Sequence, residues 1–107
     1  MIDRETGIYY CGGDAELYKE VLSDWCEETK QELDRLRAYL AAGDLKNYAV
    51  LAHAIKGTAL TIGASEFAAR AKQHQLAADA GDIAFIRKDF DSFSKEGAAL
   101  IAEAEEG

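Results

Sequence analysis

Leu22, Trp25, Thr29, Leu33, Leu36 and Leu40 recur at intervals of three and four between Glu, Lys, Asp and Arg residues. That is the spacing of one helix face, with the wet face opposite. It predicts a helix over about 15–42, started by Asp14 as N-cap and stopped by Gly43. Tyr48, Ala52, Ile55, Ala59 and Ile62 form the next stripe and predict a helix over about 45–62, capped by Asp44 and ended by Gly63. A third helix, with Ser65 as cap and Glu66 in its first turn, runs to about Ala80 and packs Phe67, Ala71, His74 and Ala78 inward. The last spans about 83–105, on Ile83, Ile86, Phe90, Phe93, Gly97, Leu100 and Ala104, again at the threes and fours of bundle packing. Ahead of Gly12-Gly13, residues 3–11 predict a short helix lying across one end. Gly-Asp stands at both 43–44 and 81–82, and such short connections make the joined helices antiparallel neighbours. The expected fold is all-α: an up-down-up-down antiparallel four-helix bundle with a short extra N-terminal helix, in one domain over 1–107.

Composition narrows the function. The 107 residues include no Pro and are 49% hydrophobic, enough for one modest core. No apolar run approaches the roughly 20 residues of a membrane span. Met1-Ile2-Asp3-Arg4-Glu5 lacks a signal-peptide pattern, so a cytoplasmic protein without membrane contact is expected. Cys11 and Cys26 have no metal-ligand spacing; reduced thiols and no metal site are expected. The net charge of −8 argues against nucleic acid as a partner. Its distribution is uneven: between Leu45 and Leu76 stand Lys46, Lys56, Arg70 and Lys72 against Glu66 alone. This basic island on an acidic chain suits an anionic group and an acidic partner surface.

The candidate chemistry lies in the second long helix. With Ala52, Ile55 and Ala59 facing inward, His53, Lys56, Gly57 and Leu60 share the outer side, because residues three and four apart are helix-surface neighbours. Glycine inside a helix costs about 1 kcal/mol relative to alanine. What Gly57 offers in return is access, since without a Cβ a bulky group can approach His53 from above. Neutral imidazole is a competent nucleophile near neutral pH, and an ammonium binds phosphate as a point charge. The combination points to a phosphoryl group. A bundle carboxylate–metal site needs Glu-x-x-His pairs, but Val50 and Ala71 stand three residues before His53 and His74. There is no Gly-rich phosphate loop, so no kinase activity of its own is expected and the phosphoryl group must come from a partner.

Ala52-His53-x-Ile55-Lys56-Gly57-x-Ala59, followed by Ile62-Gly63-Ala64, Ala71 and Gly81-Asp82, resembles the signature of histidine phosphotransfer (HPt) domains. The upstream Gly12-Gly13-Asp14-x-Glu16-Leu17-Tyr18 is similar to that family's entry into its first long helix. The resemblance implies a monomeric phosphorelay module of two-component signalling. His53 would be the phosphoacceptor, taking a phosphoryl group from the aspartate of a response-regulator receiver domain and passing it to another. A hybrid sensor histidine kinase would be a further partner. Mg²⁺ would sit on the receiver, with no cofactor here. Lys56 would offset phosphoryl charge and Gly57 would leave room. Leu60, with Ala49 and Ala64, would form an apolar docking surface. Gln75 corresponds to a Gln that bonds the active imidazole in some members, and Asp79 stands where some relatives have an Arg. His74 is expected to pack within the bundle, where the family usually has an aliphatic residue. Two alternatives stay open: a docking module without phosphotransfer, and the phosphoacceptor domain of a kinase.

Overall fold

The computed structural model describes residues 1–106 and contains five helices. They are α1 (Arg4–Tyr10), α2 (Ala15–Ala42), α3 (Leu45–Ile62), α4 (Ser65–Asp79) and α5 (Ile83–Glu106), with no strand among the described residues. The predicted boundaries hold to within a residue or two because the caps are where the chain placed them. Asp14 Oδ1 accepts from the backbone N–H of Glu16 and Leu17, both at 3.0 Å. Asp44 Oδ1 accepts from Asn47 N–H at 3.2 Å and Asp82 Oδ1 from Phe85 N–H at 3.1 Å. Each satisfies a donor that the first helical turn leaves unpaired. Gly43 and Gly63 close α2 and α3 at φ of +68° and +90°, a region that side chains disfavour.

One cap differs from expectation. Ser65 is the first residue of α4, not its cap; the N-cap is Ala64, which makes no side-chain bond. As in the equally short Gly43-Asp44 connection, the cap falls on the residue after the glycine, and here that residue is an alanine. Ala64 N–H already bonds back to Ala59 O at 2.9 Å, and its side chain is buried.

The four long helices pack as a ring of neighbours: α2 on α3, α3 on α4, α4 on α5 and α5 on α2, with α1 against α3 and α2. The 28 residues of α2 span about 42 Å at 1.5 Å per residue, which accounts for the molecule's 40 Å long dimension. Inside the ring, Phe67 stacks on Phe93 at 4.8 Å between centroids, and Trp25 meets Phe67 edge-on at 6.5 Å. Burying a side chain of this size contributes about 1.5–3 kcal/mol. Gly97 lets α5 approach closely: a Cβ there would stand 2.9 Å from Leu33 Cδ1 and 3.1 Å from Phe67 Cζ. The stripe of α2 is buried as expected except at Leu40, which is half-buried. At the other end, Asp3 N–H bonds Gly63 O at 2.8 Å and Tyr18 donates to Ile62 O at 2.8 Å. These bonds tie α1 and the start of α2 to the end of α3. Cys11 and Cys26 are both free.

Candidate functional site

Packing of α3 and α4 determines what stands on the surface. Tyr48, Ala52, Ile55, Ala59 and Ile62 are all buried, so the opposite face of α3 is left to solvent. His53 is exposed there, with Gly57 and Leu60, and Lys56 is half-buried beside it. Gln75 comes from α4: its Oε1 lies 3.1 Å from His53 Nδ1. An amide oxygen only accepts, so Nδ1 carries the proton and Nε2 keeps its lone pair. The ring is thereby oriented with one nitrogen anchored and the other free, the condition for nucleophilic attack by imidazole.

Above the ring there is room. A Cβ built on Gly57 would meet nothing within 4 Å. The Gly57 carbonyl also accepts a bond from the Thr61 hydroxyl at 3.1 Å, one turn on. On the other flank of His53 a shallow cleft is lined by Lys46, Ala49, Val50, Gln75 and Asp79. Lys46 counts in the basic island and Asp79 stands where some relatives have an Arg, but the sequence reading assigns neither to the site. Lys46 lies seven residues, two turns, before His53 and Asp79 one turn after Gln75, so each shares a helix face with its site residue. Among the described residues, Lys46, Lys56 and Lys72 make no salt bridge, which leaves their charge available. Arg70 does not belong with them. It bonds Asp89 at 2.9 Å and Glu96 at 2.6 Å on α5, which neutralises it away from His53.

The apolar surroundings also need correction. Ala64 is 1% exposed and Ala49 is buried, lining only the cleft wall. The exposed large apolar side chains on α3 and α4 are Val50 (66%), Leu76 (54%) and Leu60 (43%). A wheel drawn on α3 alone misses Leu76, the α4 residue that follows Gln75. Among the described residues no group of His, Cys, Asp and Glu side chains could hold a metal ion, and no helix is long and apolar enough to cross a membrane.

His74 is wholly buried. Tyr48 donates its hydroxyl proton to His74 Nδ1 at 2.7 Å, and Nε2–H donates to Asp89 Oδ2 at 2.8 Å. Its ring also stacks on Phe93 at 4.4 Å. Burial holds its pKa below the usual histidine value, outweighing the opposing pull of Asp89, so the ring is neutral and both nitrogens are committed. Asp89 titrates below the usual carboxylate value because the bonds from His74 and Arg70 outweigh its burial. The same burial pushes the Tyr48 hydroxyl well above its ordinary value.

Comparison with curated proteins returned no match, and comparison with solved structures returned none. A family model does match: that of the Hpt domain, over residues 20–106, which takes in most of α2 and all of α3, α4 and α5. The chain therefore belongs to the Hpt domain family, whose members carry out histidine phosphotransfer in phosphorelays and interact with receiver domains.

Proposed function

We propose that this protein is a phosphorelay module in which His53 receives a phosphoryl group from a receiver-domain aspartate and passes it to another receiver. The observation that carries this reading is the ring geometry: Nδ1 held by Gln75 at 3.1 Å and Nε2 unengaged beside the open space over Gly57. In the forward step the Nε2 lone pair attacks phosphorus. An N–P bond forms, the P–O bond to the aspartate breaks, and the carboxylate leaves with the electron pair. The imidazole becomes cationic, and its charge is shared through Nδ1–H with the Gln75 carbonyl dipole. No base is needed to take a proton, so the return step is the same path reversed.

Lys56 and Lys46 flank the ring from opposite sides and offset charge on the phosphoryl oxygens. Gly57 admits them. Val50, Leu60 and Leu76 form the apolar rim on which a receiver would close. The receiver supplies the Mg²⁺ and acidic residues. The helices share one core, which supports a single domain over 1–107, and the short connections with the ring of contacts support an up-down-up-down order.

The test is intact-mass phosphotransfer from receiver domains phosphorylated on aspartate, with His53→Gln as control. The expected result is an acid-labile, base-stable adduct absent from the variant. A folded protein that takes no adduct from any receiver of the same source would leave docking without phosphotransfer as its role.

A further inference from the structure

Side-chain hydrogen bonds join α3 to α4 at two places among the described residues: Tyr48 to His74 in the core and His53 to Gln75 at the surface. The α4 members of the two pairs are consecutive. Successive helical residues are separated by a fixed angle of about 100° around the axis, so whatever fixes His74 also fixes the direction of Gln75. His74 is fixed from three sides, by the Tyr48 hydroxyl at 2.7 Å, Asp89 at 2.8 Å and the Phe93 ring at 4.4 Å. Asp89 is itself held by Arg70, and Arg70 by Glu96 and by Ser92 at 3.3 Å. The chain of bonds thus runs from α5 through α4 to α3.

We propose that His74, bonded between Tyr48 and Asp89, is a positioning residue that sets the rotation of α4 and so delivers Gln75 to His53. The inference rests on the roles given above to His53 and Gln75. An aliphatic side chain at 74 would fill the space but supply neither directional bond, leaving the rotation of α4 to the shape of the packing alone. A rotation of α4 by about 20° would move a side-chain tip about 6 Å from its axis by about 2 Å. That suffices to break the bond to Nδ1, which is already 3.1 Å long.

The experiment reads the ring nitrogens of His53 by NMR in the unphosphorylated protein, at mildly alkaline pH where imidazoles are neutral. Wild type should show the Nδ1–H form, and Gln75→Leu should show what its loss looks like. Tyr48→Phe should move the His53 signals toward those of Gln75→Leu and slow phosphotransfer roughly tenfold, as small displacements of a reacting group do. The double variant Tyr48→Phe/His74→Leu leaves no Tyr48 hydroxyl to bury, yet should show the same displacement. Leu36→Val, a core change on α2 away from the network, should leave the signals in place. Unmoved His53 signals in the folded single and double variants would overturn the inference, as would a Gln75→Leu protein indistinguishable from wild type. If the signals respond as expected but wild type accepts no phosphoryl group, the positioning stands and the phosphotransfer reading fails.

Discussion

The chain's two histidines occupy opposite environments on adjoining helices. His53 is exposed, has one nitrogen bonded and faces open space. His74 is fully buried, has both nitrogens bonded and lies against an aromatic ring. The residue type is the same and the capability is opposite. A nucleophile needs a free lone pair and an approach route; a packing residue has neither. The contrast places reactivity in the surroundings: a glycine one turn on and an amide from the next helix on one side, a phenol and a carboxylate on the other.

The sharpest break in this contrast would come from removing each ring. His53→Gln should abolish the phosphoryl adduct and change stability by no more than about 0.5 kcal/mol, as expected of an exposed position. His74→Ala should still acquire the adduct, about tenfold more slowly, while losing about 3 kcal/mol through its cavity and the unpaired Tyr48 hydroxyl. Intact mass and urea unfolding read the two properties separately. A folded His74→Ala protein unable to take any phosphoryl group would erase the division of roles.

Gly57→Leu should split activity from stability in one substitution. Filling the space over His53 should slow transfer by about tenfold or more, while replacing a helical glycine should raise stability by about 1 kcal/mol. The growth rate of the adduct and the thermal midpoint would test this. Unchanged transfer would mean that the space is not used.

Acid should separate the two rings next. His74 binds its proton more weakly folded than unfolded, because burial lowers its pKa. The unfolded chain therefore gains a proton that the fold refuses, and stability falls as pH drops below about 6.5. Asp89, depressed below the ordinary carboxylate value, adds a loss only in stronger acid. Between about pH 7 and 5 the urea midpoint of wild type should fall more than that of His74→Leu. Parallel slopes would show that the buried ring is not the cause.

The smallest effect is expected at Lys46, which lines the His53 cleft. Lys46→Gln should slow second-order transfer about two- to threefold at low salt and hardly at all at high salt, because screening removes exposed charge effects. A defect independent of salt would point to a contact and not to steering.

The helices were legible because their signals are local. Apolar positions at threes and fours and Asp at the helix starts are statements about neighbours in the chain. The exposed face of α3 followed by elimination, and with it His53, Lys56, Gly57 and Leu60. Gln75 came from the family resemblance, and the structure places it against the ring. What the sequence hid lies where helices meet. Arg70 counted as site charge until α5 brought Asp89 and Glu96 against it. The resemblance puts Ala64 on the docking surface, but after Gly63 the chain turns and buries it. Ser65 looked like a cap because it has the right chemistry, but the tight turn had already placed Ala64 there. His74 fell on the correct stripe, yet its partners, Tyr48 and Asp89, lie on two other helices.

The open ground over Gly57 has a consequence for timing. A phosphoryl group on His53 would stand largely in water, with only the shallow cleft of Lys46, Ala49, Val50, Gln75 and Asp79 beside it. The module would then be half of a reaction chamber, and the missing half would arrive with each receiver. Closing that chamber expels water and strengthens every charge interaction inside it. On the phosphorelay reading proposed above, the chemical step would be fast only for the lifetime of an encounter, and how well each receiver completes the enclosure would decide which are served.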